Sequence, residues 1–165
     1  MRPNKPLFIT GHSMGGALAT IAAADLKTFS GTMNMKMILY TLGCPRVGNQ
    51  AFADLMFDIF PSGTNYRIVH YDDAVPHAIP RAFGFQHAGE EVWYYKAKGD
   101  EFKLCENSKG QPENTKCSHS LFLKTGIESH TTYFGHDLGN RCAKRQPSNS
   151  LTSSDNIDQG FLTNN

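Results

Sequence analysis

The chain has 165 residues, about the size of one domain and too short for two of ordinary length. Sixteen Lys and Arg residues against 15 Asp and Glu give a formal net charge of +1, so no long-range field selects nucleic acid or an anionic membrane. The hydrophobic content of 39% is ordinary for a globular protein, and no apolar run approaches the roughly 18 residues that span a bilayer. We therefore expect neither a collagen-like, coiled-coil or wholly disordered chain nor a transmembrane segment.

Three apolar runs alternate with two helix-like segments in the first half of the chain. Residues 7–10 are of buried-strand type, and the Ala-rich segment 17–26, apolar nearly all round, is typical of a helix packed between layers. A second apolar run at 35–41, a helix at 49–60 and a third run at 66–71 complete a β-α-β-α-β order. The short connections between these segments favour a parallel sheet covered by helices.

The pattern changes in the second half of the chain. The segments 91–95 and 101–104 predict two short strands that form an antiparallel pair. From residue 143 onward Ser, Asn, Asp, Gln and Thr predominate, which predicts a disordered tail. We therefore expect one α/β domain over residues 1–142, followed by a polar tail over residues 143–165.

The strongest chemical motif follows the first apolar run directly. Gly11, Ser13 and Gly15 form a Gly-x-Ser-x-Gly pattern in the strand-turn-helix setting of a nucleophile elbow, a strained turn in which the two glycines let strand and helix approach. Such a turn would present the Ser13 hydroxyl at the carboxyl edge of the sheet and aim the Met14 backbone N–H at a developing oxyanion. His12 would point away from Ser13 and support the turn. The alternative interpretation of Ser13 is an ordinary helix N-cap.

A serine hydroxyl becomes a nucleophile at neutral pH beside a positioned histidine that a carboxylate orients. On sheets of this kind the three groups follow in the order Ser, Asp or Glu, His. Asp72 and Asp73 follow the third apolar run, and at most one of two adjacent carboxylates should face the site. Order and chain length leave three of the seven histidines as candidates for the base: His119, His130 and His136. The alternatives are a solvated carboxylate pair and surface histidines.

Several blocks of this sequence, in the same order, resemble the fungal-type triacylglycerol lipases known as class 3 lipases. The blocks are residues 8–19, 40–49, 67–77, 84–93 and 130–135. The resemblance spans residues 7–142 and implies an α/β-hydrolase-type fold, with a mostly parallel sheet flanked by helices. Residues 1–142 would then be the C-terminal part of a lipase-like domain.

The resemblance also implies a catalytic triad, with Ser13 as nucleophile, Asp73 as acid and His130 as base. Asp73 is preferred to its neighbour because the family places its acid directly before an apolar-Val-Pro-His stretch. Met14, the expected oxyanion donor, stands where the family usually has Leu. The implied activity is that of a serine carboxylester hydrolase, which cleaves acylglycerols or other esters at a lipid-water interface through an acyl-enzyme and needs no cofactor.

The four cysteines include no CxxC pair, so we expect no zinc site or other metal site. Secreted members of the family have a disulfide at the positions of Cys105 and Cys117, so the resemblance implies the same bond here. In related lipases, a cysteine near the position of Cys142 forms a disulfide with a cysteine close to the N-terminus of the domain. This chain has no cysteine at that second position. The resemblance therefore suggests secretion, although residues 1–6 contain no apolar signal-peptide core.

A full domain of the family begins well before its elbow strand, so we expect the domain to be incomplete at its N-terminal side. The strand at residues 7–10 would then expose one edge, which invites self-association through that edge. The lid and a second oxyanion donor would lie outside the chain. The alternative function is therefore a catalytically impaired half-domain that acts as a binding or non-functional fragment.

Overall fold

The computed structural model describes residues 5–29, 35–121 and 124–139. The strands are β1 (Leu7–His12), β2 (Met37–Leu42), β3 (Gly48–Asn49), β4 (Asn65–His70), β5 (Phe85–Gln86), β6 (Glu90–Tyr94), β7 (Phe102–Cys105), β8 (Thr132–Tyr133) and β9 (His136–Asp137). The α-helices are α1 (Met14–Thr28), α2 (Gln50–Ile59) and α3 (Ile127–Thr131), and short 3₁₀ helices cover Val75–His77, Arg81–Phe83 and Ser118–Ser120. The predicted tail over residues 143–165 lies outside the described residues, as does Cys142.

Five strands form the main sheet, in the order β1-β2-β4-β6-β7. The first four are mutually parallel, and β7 runs antiparallel to β6. The mostly parallel sheet is confirmed, and the predicted antiparallel pair is present as β6 and β7 of the same sheet. Because parallel strands end at the same edge, the residues that follow β1, β2 and β4 meet there.

One face of the main sheet carries the hydrophobic core. Strands β2 and β4 alternate buried and half-buried residues, as expected for strands with one closely covered face. The core cluster joins three elements: Ala19, Ala23 and Ala24 of α1, Met37 and Leu39 of β2, and Met56 of α2 with the following Phe60. Small alanines let α1 approach the sheet closely, so this helix can hold the elbow firmly at the sheet's carboxyl edge.

The first strand lies at an edge of the sheet in the part of the chain that the structure describes. Its Phe8 side chain is 61% exposed, and Leu18 and Ile21 of α1 are also exposed. An apolar edge of this kind can pair with another chain. Self-association through β1 stays a prediction. No helix among the described residues is long and apolar enough to cross a membrane.

Candidate active site

The turn between β1 and α1 holds Ser13 in a strained conformation. Its φ of 58° and ψ of −130° lie outside the regions that L-residues prefer. Backbone hydrogen bonds stabilise the turn, since Ser13 N donates to Leu42 O at 2.9 Å and Gly16 N donates to Ser13 O at 2.9 Å. The Ser13 side chain makes no cap hydrogen bond to α1. Its hydroxyl is therefore available for other partners, unlike that of an ordinary N-cap serine.

Two glycines allow the close approach of strand and helix, and one of them differs from the sequence expectation. A Cβ at Gly11 would overlap the Gly15 carbonyl and lie 2.7 Å from Gly16 N. A Cβ at Gly16 would lie 2.9 Å from the Cys44 Cβ. A Cβ at Gly15 would meet nothing within 4 Å outside its own helix backbone. The tight contact thus requires Gly11 and Gly16, whereas the motif pointed to Gly11 and Gly15.

The His130 imidazole lies between the Ser13 hydroxyl and the Asp73 carboxylate. Its Nε2 is 2.8 Å from Ser13 Oγ, and its Nδ1 is 3.0 Å from each Asp73 carboxylate oxygen. A carboxylate only accepts hydrogen bonds, so Nδ1 carries the hydrogen and the Nε2 lone pair faces the serine. The His130 side chain is 13% exposed and that of Asp73 is fully buried. The three side chains form one hydrogen-bonded chain from the protein interior to the surface.

Two further donors hold the Asp73 carboxylate. Val75 N donates to Oδ1 at 2.9 Å, and the Tyr133 hydroxyl donates to Oδ2 at 2.6 Å. Burial, together with the Asp73 charge and hydrogen bond, raises the pKa of Tyr133 well above its ordinary value, so the phenol stays a donor. The same hydroxyl accepts a hydrogen bond from His70 N at 3.3 Å. Sequence reasoning missed Tyr133, whose only signal was its place three residues after His130.

Gly43 lies directly against this hydrogen-bonded group and was also missed. Its φ is 55°, a conformation that favours glycine. A Cβ at this position would lie 2.7 Å from Asp73 Oδ2, 2.9 Å from His130 Nδ1 and 2.9 Å from the Tyr133 hydroxyl. Any larger residue would have to displace the imidazole or the carboxylate. The glycine that follows β2 is therefore a packing requirement of the site.

The other acid and base candidates lie elsewhere. Asp72 Oδ1 accepts a hydrogen bond from Ser129 Oγ at 2.6 Å, so the two adjacent carboxylates have different partners. His119 packs near His77, with ring centroids 6.0 Å apart. His136 is exposed on β9. Among the three histidines that sequence order left open, the structure brings His130 to both the serine and a carboxylate.

Met14 is the first residue of α1, immediately after Ser13. Backbone N–H groups in the first turn of a helix have no intrahelical acceptor, and they carry the positive end of the helix dipole. No acidic residue occupies the first turn of α1, so no side-chain charge there neutralises that end. The Met14 N–H therefore lies next to Ser13 at the positive end of α1. Its side chain is 72% exposed next to the serine.

A buried ion pair supports residues 74–79, the segment that follows Asp73 and that is called the acid turn below. Arg46 Nε and Nη2 donate to the two carboxylate oxygens of Glu113, each at 2.7 Å, and Nη1 donates to Ile79 O at 2.7 Å. His87 N also donates to Glu113, at 2.9 Å. Burial alone would raise the pKa of Glu113, but the Arg46 hydrogen bonds and nearby positive charges hold it well below its ordinary value. The pair is therefore ionised and tied to the acid turn.

The disulfide that the resemblance implied is present between Cys105 and Cys117. The next residue, Ser118, is buried, and its N donates to Glu91 Oε1 at 3.0 Å while its Oγ lies 3.1 Å from His77 Nε2. Since His77 belongs to the 3₁₀ helix after the candidate acid, the disulfide-closed loop contacts the acid turn. Within the described ranges, no group of three or more His, Cys, Asp or Glu side chains could hold a metal ion.

Comparisons with known proteins agree with this fold. A family model described as lipase (class 3) matches residues 1–83. The lipase of Rhizomucor miehei is 39% identical over 139 residues, which are 83% of this chain and 37% of that protein. The secreted mono- and diacylglycerol lipase 1 of Fusarium solani is 36% identical over 138 residues, which are 80% of this chain and 38% of that protein.

A solved structure, reported as a triacylglycerol lipase whose catalytic centre is a serine protease triad, superposes on this chain with a TM-score of 0.73. The two are 38% identical, and the match covers 83% of this chain and 50% of the other. Fold and relatives together define an α/β-hydrolase. More narrowly, the chain belongs to the class 3 lipase family. It spans only 37% to 50% of the length of these relatives.

Proposed function

We propose that this chain carries the nucleophile, base and acid of a serine carboxylester hydrolase. The observation that supports this most directly is the continuous hydrogen-bonded chain from Ser13 through His130 to Asp73, with 2.8 Å and 3.0 Å contacts on the two sides of one imidazole. The strained turn at Ser13 adds to it, because strain of this kind is retained where the surrounding structure holds a functional geometry.

In the proposed acylation step, Ser13 Oγ attacks the ester carbonyl carbon as its proton moves to His130 Nε2. The new C–O bond forms while the carbonyl π electrons move onto the carbonyl oxygen. Asp73 keeps the imidazole oriented and stabilises the imidazolium. When the tetrahedral intermediate collapses, the leaving alcohol oxygen takes the proton from Nε2, and an acyl-Ser13 ester remains.

Deacylation repeats these roles with water as the nucleophile. His130 Nε2 accepts a proton from water as the water oxygen attacks the acyl carbon, and the proton then passes to Ser13 Oγ as it leaves. The products are a carboxylic acid and the restored serine. The Met14 N–H would donate to the oxyanion in both steps, since it lies next to the nucleophile and at the positive end of α1. An oxyanion donor is worth about two to three powers of ten in rate.

An acylglycerol is the substrate class that the surroundings favour. Exposed apolar side chains flank the serine and the histidine, with Met14 beside Ser13 and Ile127 at the start of the helix that carries His130. The Ile127 side chain is 76% exposed. An acyl chain would cover such side chains on binding. Relatives described as triacylglycerol lipase and as mono- and diacylglycerol lipase agree with this choice. The place of action that we propose for such a substrate is a lipid-water interface.

Secretion is the compartment that we propose. Disulfides persist in oxidising environments, and Cys105 is bonded to Cys117. A relative described as secreted supports the same conclusion. The proposal predicts that, in the folded protein, the disulfide resists reduction in a buffer set to the reduction potential of the cytosol. Mass spectrometry after thiol alkylation measures this, and complete alkylation of Cys105 and Cys117 in folded protein would contradict it.

The hydrolase proposal is tested by hydrolysis of p-nitrophenyl butyrate and by labelling with a fluorophosphonate. We expect turnover and a single phosphonylated residue, Ser13, identified by peptide mass spectrometry. Ser13→Ala should abolish both signals, because it removes the nucleophilic oxygen. Ser129→Ala, at the buried serine that is hydrogen-bonded to Asp72, is the matched control and should keep the label. A folded protein with no Ser13-dependent turnover or label would favour the alternative, a binding fragment without activity.

A further inference from the structure

His12 has no role in the proposed triad, yet its side chain contacts the proposed base in two ways. Its Nε2 lies 2.7 Å from the backbone oxygen of His130. Its ring stacks on the His130 ring, with centroids 4.6 Å apart and planes inclined by 28°. The two residues are 118 positions apart in the chain. The contact differs from the sequence expectation, in which His12 supported only the turn.

The hydrogen bond acts on the backbone that carries the base. A carbonyl oxygen only accepts, so His12 Nε2 carries the hydrogen and donates it to His130 O. His130 lies near the end of α3, a five-residue helix, where carbonyls lack intrahelical partners. His12 supplies the donor that the short helix cannot. This bond restrains the position of the His130 Cα and therefore the origin of its side chain.

The ring contact acts on the orientation of the imidazole. The His12 ring covers one face of the His130 ring, and the Tyr133 ring packs edge-on against His12 at 5.7 Å. Asp73 holds the Nδ1 side of the His130 ring at 3.0 Å. Rotation of the imidazole would break the stacking or the carboxylate bond. Rotamers fixed by packing and by supporting hydrogen bonds are what precise catalytic geometry requires.

We propose that His12 is a positioning residue that holds the His130 imidazole in line with the Ser13 hydroxyl. This inference rests on the proposed triad. His12 and Ser13 are adjacent, so the same turn carries the nucleophile and the support of its base. A shift of the turn would move both partners together, which keeps their 2.8 Å separation. A loss of the His12 contacts would leave Ser13 in place and let the base drift.

Three substitutions separate the two contacts. His12→Leu removes both, His12→Gln can keep an N–H near the carbonyl, and His12→Phe keeps a stacked ring without a donor. We expect kcat for p-nitrophenyl butyrate to fall between roughly tenfold and a hundredfold in His12→Leu, because small misplacements of a catalytic group have effects of this size. The KM should change by less than about twofold, since no substrate contact is lost. The other two variants should each recover part of kcat.

The control is His136→Gln, at an exposed position on β9, which should leave kcat unchanged. Thermal midpoints are measured for all variants. A purely structural role would lower Tm, but it would not make kcat recover in the variants that keep the donor or the ring. Equal kcat in the wild type and His12→Leu would overturn the inference. A higher KM at constant kcat would overturn it as well.

A second measurement does not depend on turnover. In a Ser13→Ala background, the His130 Hε1 resonance is assigned by its loss in His130→Gln and compared with and without His12→Leu. We expect the resonance to move when the stacked ring is removed. An unchanged resonance would contradict the positioning role. If the wild type shows no Ser13-dependent turnover, the hydrolase proposal fails while this comparison still decides the inference.

Discussion

Two groups of histidines have contrasting surroundings in this molecule. His130 lies directly beside the Asp73 carboxylate, whereas His77 and His87 lie near two arginines as well as Glu113. His130 donates to Asp73 with one ring nitrogen and presents the other to the Ser13 hydroxyl. His77 is instead half-buried in the 3₁₀ helix that follows Asp73, and His87 is buried. Burial and nearby cations lower the pKa of His77 to about 3, and they lower the pKa of His87 well below its ordinary value.

Burial, with the arginine charges adding to it, explains why the second group stays neutral. The positive charges of Arg46 and Arg67 add to burial in opposing protonation of His87. The neutral His87 ring still donates from Nε2 to Pro76 O at 2.8 Å, which ties it to the acid turn. A histidine can act as a base where a carboxylate orients it and its second nitrogen stays accessible. Buried among cations, the same side chain is a structural donor.

The largest effect is expected where the carboxylate of the first group is replaced. Asp73→Asn keeps the shape but removes the charge that orients His130, and we expect kcat for a p-nitrophenyl ester to fall by about four powers of ten. Asp72→Asn is the matched control, because its carboxylate contacts Ser129 instead of the imidazole. It should cost less than about tenfold. A larger loss of kcat in Asp72→Asn than in Asp73→Asn would show that Asp72, and not Asp73, is the acid.

The second group is tested through its ion pair. Glu113→Ala leaves the Arg46 guanidinium buried and unpaired, which should lower the free energy of unfolding by about 3–5 kcal/mol. Asp58→Ala breaks a surface pair with Lys109, whose side chains are about half exposed, and should cost less than about 1 kcal/mol. Urea unfolding curves measure both values. Similar losses in the two variants would show that burial does not distinguish these pairs.

Local patterns predicted the architecture well. The alternation of apolar runs and helical segments in the first 71 residues reports short-range periodicity, and each run became a strand of the parallel sheet. The boundaries moved by a few residues for local reasons. Strand β4, which corresponds to the third apolar run, ends at His70, since Tyr71 adopts a φ of 42° that a strand cannot continue.

The candidate site was predicted less completely from the residues alone. Its nucleophile has a local signature, but Ser13 and His130 are 117 positions apart, and no pattern in the chain joins them. Family resemblance, rather than spacing, favoured His130 among three histidines. The supporting contacts of Tyr133, Gly43 and His12 exist only once the carboxyl ends of the strands meet. Such contacts depend on tertiary placement, so the amino-acid pattern does not show them.

The smallest effect is expected in the pH dependence of stability. The pKa of His77 is about 3 in the folded protein, below its ordinary value of 6.5, so the unfolded chain binds the proton more readily. The contribution of neutral His77 is fully present above pH 6.5 and is lost as the pH falls towards about 3. His77→Asn should therefore flatten the acid side of a plot of unfolding free energy against pH. Between pH 7 and 8 the variant and wild-type curves should run parallel, whatever the loss of the Ser118 contact costs. If the acid side of the curve were equally steep in the variant, folding would not lower the pKa of His77. The two histidine surroundings would then not differ as proposed.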